Sequence, residues 1–588
     1  MIIPRLIQAR CSALGDNAIL PTQVLGREYV SALFTYEVDC IIHQENLNVR
    51  DLLGLPLSLV LHHSQAVPHY LHGLIMDVIQ QSKKSHYHLT LSPWFFLLNH
   101  SQDSRIFQEQ SIPDMVISIF KEKGFHDFCL DGLTCTYETL PYVVQLNESD
   151  FNFISRLLEQ AGIYYYFSHT ENQHILHLVD QNLKTPCISG VILDLNDQQS
   201  LPHITHWQVF QHFTTQQLIQ MDYNPDMPND RLQSQASLDI GSSHPALENI
   251  TQYQFPGGYQ DVQAGQRQSE IKMQALASKA KKIEGKSDCD YFRAGSRIQL
   301  QSDESGKSYL ITKLEFCVID ESVLANKSQP KREYKNTFIC QFASNYRPPQ
   351  LTPIPEVPGL QTATVVGPAD QSLYLDQQGR VKIQFHWDRY GKHNEHSSCW
   401  LRVMQLFAGS NGGTFFIPRI GQEVWVAFAN GDPNRPLIMG AAYNGENEVP
   451  YNLTKSCYVS GIKTQSTEGK EGNELTFDDT PGAQLFLLKT QGDYTQVVRR
   501  DARSIIDGNL ISMIKNGDFV LEILQGSAKT QAAKSITLQV KNSTLQITPN
   551  GIILNAPKIE MNPNSSEANV PSSSHWIEDA LDVENFLE

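Results

Sequence analysis

Near its C-terminus the chain repeats itself. From Ser535 it reads SITLQVKN, STLQITPN, GIILNAPK and then IEMNPN, with Asn542 and Asn550 eight residues apart. A fixed short period means stacked, near-identical structural units. Each unit carries only two or three apolar residues, too few for a single chain of that width to enclose a core. Several chains wound together can do so, each supplying one wall. The repeat therefore predicts a β-helix needle over 461–561, assembled from more than one copy, with a homotrimer as the expected form.

The segment before it has a different texture. Val381, Ile383 and Phe385 alternate with Lys382 and Gln384, and Val424, Val426 and Phe428 repeat the pattern after PRIG. Alternation of this kind marks half-buried strands. Gly379, Gly412, Gly413 and NGDP (Asn430 to Pro433) punctuate them as turns. About five strands in so short a stretch suit a small OB-fold barrel, placed at 361–445. A Pro-rich linker, 346–360, precedes it, because its prolines can continue neither a helix nor a ladder.

The first 345 residues mix strands with a few helices. FTYEVDCIIHQ and LPLSLVLHH read as strands. DMVISIFKEKG reads as a helix capped by Asp114 and stopped at Gly124. In ESDFNFISRLLEQAGIYYYF, Glu148 to Phe167, Asp150 is the expected cap. Phe151, Ile154, Leu157 and Leu158 share one helix face, and Gly162 suits a left-handed end. IYYYF then alternates as a strand. Arg156 and Glu159, three apart, are placed to pair along the helix. AGQRQSEIKMQALASKAKKI is a further long helix.

Chemistry is hard to find in these residues. GKS occurs at Gly285–Ser287 and Gly306–Ser308, but a phosphate loop needs a Gly five positions earlier, where Ala280 and Gln301 stand. Neither H-E-x-x-H nor G-x-S-x-G occurs. The histidines of HNEHSSCW and LHHSQAVPHYLH lack metal-ligand spacing, and the ten Cys include no C-x-x-C. No cofactor and no metal is expected. The net charge of −17 argues against nucleic acid as a partner. The OB segment itself is balanced, with seven Lys/Arg against six Asp/Glu, so it offers no basic groove. The N-terminus, broken by Arg5, Arg10 and Asp16, makes neither a signal-peptide core nor a spanning helix. Sparse Cys fit folding in a reducing cytoplasm.

Three blocks carry a family resemblance. The first pairs DSRIFQEQSIPDMV with VQLNESDFNFISRLLEQAGIYYYF. The second runs from GRVKIQFHWDR through SSCWLRVMQLFAGSNGGTFFIPRIGQEVWVAFANGDPNRPLIMGAAYN. The third is GIKTQSTEGKEGNELTFDDTPGAQLFLL. Together, from about Phe34 to Met561, they resemble the VgrG family, the spikes of type VI secretion systems and relatives of phage tail hubs. The resemblance implies a mainly β fold with some α: phage-hub-like β-barrel domains over 1–345, then the OB barrel and the trimeric intertwined needle. It implies a puncturing spike that caps a tube of Hcp rings, bears a PAAR-repeat tip protein, and carries effector or adaptor proteins alongside baseplate components. Such a spike crosses a target membrane mechanically. It waits in the bacterial cytoplasm and leaves through the contractile machine, with no catalytic residue required. The alternative readings are a phage hub-spike, a cell-wall-degrading enzyme, and an OB-type oligonucleotide- or glycan-binding module. The tail, 562–588, is read as flexible, and its Trp576, Ile577, Leu581 and Phe586 are candidate contacts for cargo or an adaptor.

Overall fold

The computed structural model describes residues 5–561 except 16–17, 45–46, 63–67, 83–84, 197–200, 239–249, 303–305, 325–328, 456, 468 and 470. It divides into two units, Met1–Glu448 and a second from Val449 onward. The candidate contacts Trp576, Ile577, Leu581 and Phe586 lie outside the described residues.

The first unit is organised by a long antiparallel sheet. Its central members are Thr35–Ile42, Ile19–Tyr29, Tyr309–Asp320 and Arg332–Phe342. Strands from both ends of the hub sequence therefore lie side by side, and the N-terminal backbone is tied in by Leu6 N–H donating to Asp320 Oδ2 at 2.5 Å. Gly26 sits opposite Phe316, and a Cβ there would lie 2.0 Å from its ring, so only glycine admits the aromatic. The sheet wraps one apolar core that includes Tyr36, Phe95, Phe120 and Phe153.

Three helices pack beside it. α1, Ile112–Glu122, is capped by Ser111, whose hydroxyl accepts from Asp114 N–H and donates to Asp114 Oδ2. Asp114 is thus the third helical residue and not the cap as predicted. Pro113 fits the first turn, where its missing N–H has no partner to lose, so the helix starts earlier. α2, Asp150–Ala161, is likewise capped one residue early, by Ser149. It ends at Gly162 with φ 69°, in the left-handed conformation expected there. α3, Val262–Ala280, lies on a small sheet through Leu218, Ala236 and Met273.

IYYYF forms the strand Tyr164–His169, and both of its faces are buried. Ile163, Tyr165 and Phe167 enter the main core, while Tyr164 and Tyr166 enter a second cluster with Ala294 and Tyr346.

Between residues 361 and 442 five segments close on themselves. Gln361–Val366 pairs with Lys382–Phe385 and with Glu423–Phe428, which pairs with Pro436–Ala442. Bridges from Leu401 to Val381 and from Val403 to Ile438 complete the ring. In chain order the circuit is 1-2-3-5-4-1, the five-stranded Greek-key barrel of an OB-fold. Ala363, Val365, Ile383, Phe385, Val424 and Val426 fill it. Gln384, expected to point outward, is buried, and its amide donates to Asp388 O at 2.9 Å.

The second unit is sparse. Val459–Lys463, Glu474–Asp478 and Leu485–Lys489 form one three-stranded antiparallel sheet. The octads form another: Ile536–Val540, Ser543–Thr548 and Gly551–Asn555. Two-residue turns at 541–542 and 549–550 join them, so one octad is a strand plus a turn. Within one chain, successive octads reverse direction and do not wind as a helix. Residues 490–535 form no strand.

Candidate functional site

The carboxylates of the Glu148–Phe167 stretch are consumed by structure. The strand Gln102–Phe107 presents Arg105, whose Nε donates to Gln145 Oε1 at 2.9 Å and whose Nη2 donates to Asp150 Oδ1 at 3.1 Å. Lys123 Nζ stands 3.3 Å from Asp150 Oδ2. Arg156 does not pair with Glu159. It turns back to Glu148, with Nη2 2.7 Å from Oε1 and Nε 3.1 Å from both oxygens, and it also donates to Val144 O. A fork-to-fork pair is both stronger and more directional than a helix-surface pair. Both residues of it are buried.

Glu159 has a different partner. It accepts from Leu351 N–H at 2.9 Å, from Thr352 N–H at 3.0 Å and from Thr352 Oγ1 at 2.9 Å. The Pro-rich linker is therefore strapped to the end of α2. Its other end is held by Val357 N–H donating to Gly431 O at 2.8 Å.

The barrel meets the hub through polar side chains. Asp103 Oδ2 accepts from Arg389 Nη2 and from the Tyr390 hydroxyl, each at 2.8 Å. Asn434 Oδ1 accepts from Val144 N–H at 2.8 Å. Arg435 grips Asp222 with both nitrogens, at 2.7 and 2.5 Å. Burial alone would raise the Asp222 carboxyl, but Arg435 and the N–H groups of Tyr223 and Gly258 hold it below the usual carboxylate range. The same balance lowers Asp103 through Arg389, Tyr390 and Ser104 N–H. Asp222, Asn434 and Arg435 line an open cleft of about 810 Å³ with Tyr142, Gln160, Arg380 and Arg402. The motifs DSRIF, VQLNESDF, WDRY and NGDPNRP are distant in sequence but are joined pairwise by these contacts and by the pairing of Gln102–Phe107 with Val143–Ser149.

His72, from LHHSQAVPHYLH, is tied into a buried cluster with His169 and His174. His72 Nδ1 lies 2.8 Å from His174 Nδ1, and Trp94 N–H donates to His174 Nε2 at 2.9 Å. His174 therefore carries its proton on Nδ1 and donates it to His72. His169 Nε2 lies 3.0 Å from the Tyr36 hydroxyl, which donates to Glu28 at 3.0 Å. Burial drives His72 down to about 4 and His174 to about 3. Among the described residues, no group of three His, Cys, Asp or Glu is arranged to hold a metal. The first GKS lies within the strand Lys281–Ser287, where Gly285 sits under the Phe338 ring, and is no phosphate loop.

In the second unit the unusual feature is apolar surface. Ile505 is 94% exposed, Ile511 81%, Phe519 76% and Leu524 79%. In the octads Leu538, Ile552 and Ile553 are exposed too.

Residues 27–322 match the phage tail baseplate hub (GPD) family, and 361–443 match the type VI secretion system/phage-baseplate injector OB domain. The spike protein VgrG1a of Pseudomonas aeruginosa is 35% identical over 524 residues, covering 85% of this chain and 80% of that protein. The chain belongs to the VgrG family of type VI secretion spike proteins. Another VgrG relative is the actin cross-linking toxin VgrG1 of Vibrio cholerae, 30% identical over 81% of this chain; the match covers 44% of the toxin. Among solved structures, the E. coli c3393 protein superimposes with a TM-score of 0.52 at 20% identity, over 74% of this chain and all of that one. It is described as a type VI secretion component structurally similar to the T4 bacteriophage tail proteins gp27 and gp5. The VgrG fold thus covers hub and barrel alike. Among the described residues, no helix is long and apolar enough to cross a membrane.

Proposed function

We propose that three copies of this chain form the puncturing spike of a type VI secretion machine, and that residues 461–561 of the three copies wind into one needle. The observation that carries this reading is the exposed apolar series from Ile505 to Ile553. A folded chain seldom exposes so many large apolar side chains in one region unless a partner covers them. Three parallel copies cover them with one another. They also offer ladder partners to residues 490–535, which form no strand within the chain.

The division supported is a hub over 1–345, a linker over 346–360, a barrel over 361–445 and the needle beyond. The hub seats on the Hcp tube, a PAAR-repeat protein caps the needle, and effectors, adaptors and baseplate components join the assembly. The chain waits in the bacterial cytoplasm and is exported by contraction. Its work is mechanical, since the paired carboxylates of the hub are locked by Arg105 and Arg156. Trp576, Ile577, Leu581 and Phe586 of the tail contact cargo. Replacing Trp576 and Phe586 with Ala should reduce co-purified cargo while sparing the trimer; unchanged cargo recovery would remove the tail from this role.

Light scattering of the full chain tests the central claim. The expected mass is about three times the 66.4 kDa protomer. A stable monomer at micromolar concentration would overturn it.

A further inference from the structure

The hub and barrel are joined in an unusual way. From the hub, Ile106 packs against the barrel core and the buried Tyr142 lies near Cys399 and Asp388. The remaining contacts described above are hydrogen bonds and ion pairs. Two more complete the set: Arg380 Nη1 to Asp226 Oδ1 at 3.2 Å, and Gln108 Nε2 to His396 O at 2.7 Å. Apolar contacts are non-directional and permit sliding. Bidentate guanidinium–carboxylate pairs fix both distance and orientation.

We propose that Arg435 and Arg389, with Asn434, are positioning residues that lock the barrel to the hub, so that thrust on the hub passes into the barrel instead of bending the linker at 346–360. This rests on the spike reading above. Arg435 and Asn434 engage hub segments that are far apart in sequence, at Asp222 and Val144, while Arg389 engages a third at Asp103. On the barrel these contacts fall at two places, 434–435 and 389, and the Arg380 and Gln108 contacts add two more, so the barrel is held at several places, whereas one contact would act as a pivot. The linker strap on Glu159 holds the chain close but crosses no folded barrel strand, so it cannot by itself fix the barrel's orientation.

The lock can be opened without unfolding the hub. When Arg435 is removed, Asp222 still accepts from Tyr223 N–H at 2.7 Å, Gly258 N–H at 2.6 Å and Tyr259 N–H at 3.3 Å. Without Arg389, Asp103 keeps Ser104 N–H and the Tyr390 hydroxyl. The test is the full chain carrying Arg389→Gln and Arg435→Gln, with Arg435→Lys as the conservative comparison. Thermolysin cleavage within 346–360 should accelerate about tenfold for each charge-assisted contact removed. Export by the contractile machine should fall while the solution mass stays the same, and Arg435→Lys should lie between parent and double variant. Cleavage and export within about twofold of the parent, or loss of the trimer itself, would overturn the proposal. Cleavage is compared per protomer, so a monomeric parent would defeat the spike reading while the cleavage result would still decide the lock.

Discussion

Two short apolar stretches of this chain read alike and end differently. Ile163 to Phe167 buries both faces within the hub. Gly551–Asn555, with Ile552, Ile553 and Leu554, leaves them exposed. The difference lies in what surrounds each stretch. The hub strand is flanked by α2 and by sheets assembled from residues hundreds of positions apart, while the octads have only their own neighbours. Apolar patterning therefore states that a residue is to be buried, but not which molecule buries it. The hub closes its core within one chain, and under the spike reading proposed above the octads are one wall of something larger.

The largest effect should come from reversing the apolar character of the needle. Ile511→Asp with Phe519→Asp would place six carboxylates inside a three-chain core, each costing several kcal/mol when buried unpaired. We expect the trimer to disappear in light scattering while circular dichroism of the hub is preserved, because both side chains are exposed in the single chain. A trimer that survives would show that these residues face solvent in the assembly, and the contrast between the two units would then rest on the octads alone.

The converse experiment damages the hub and spares the needle. Arg156→Met leaves Glu148 buried without its fork partner, a change that typically costs about 3–5 kcal/mol. Denaturant unfolding followed through hub tryptophan fluorescence should show that loss, with the trimer mass unchanged under native conditions. A loss below about 1 kcal/mol would place Glu148 among ordinary surface pairs.

Much of this was legible beforehand, for reasons that differ by region. The alternation in 361–445 exposed the barrel, and the octads exposed a run of short strands joined by two-residue turns, because periods of two and eight leave a direct trace in sequence. The apolar face of α2 and its Gly162 stop were legible for the same reason. The caps were misassigned because Ser111 and Ser149 compete with nearby acids, and only the fold shows that Asp150 is drawn inward by Arg105. The Arg156–Glu159 pair was expected from helix spacing, yet tertiary partners won at both residues, Glu148 for one and the linker amides for the other. The hub–barrel lock left no local signal. Asp103, Val144, Asp222, Arg389, Asn434 and Arg435 come together only after both domains have folded.

The smallest effect separates the units by pH. The hub holds His72, His169 and His174 in one buried cluster, and residues 449–561 contain no histidine. The groups facing the cluster leave no place for an added proton on His174 Nε2 or His72 Nδ1, and only the His72 carbonyl, 3.1 Å from His169 Nδ1, favours one on His169. Trp94 N–H occupies His174 Nε2, His174 occupies His72 Nδ1, and the Tyr36 hydroxyl and His72 backbone occupy His169. Arg293 adds positive charge near His169, while Asp127, more distant, only partly offsets the burial of His72. All three rings are depressed in the folded state, so the unfolded chain takes up protons first. Stability is then full above the unfolded value near 6.5 and falls as pH drops toward the folded values of about 4 for His72 and about 3 for His174. At pH 5.5 the loss should be about 1 kcal/mol for each of these two rings. The depressed carboxylates, Asp103 and Asp222 among them, work in the same direction but only below about pH 4, while burial raises the Glu28 carboxyl, which works in the opposite direction; the several depressed histidines outweigh that single group between about 4.5 and 6.5. Hydrogen exchange at pH 7.5 and 5.5, corrected for intrinsic rates, should show the strands His69–Gln80 and His174–Val179 losing protection while Ile536–Asn555 does not. Equal loss in both regions would mean that acid acts on the assembly as a whole and that the hub's histidines are not its sensitive point.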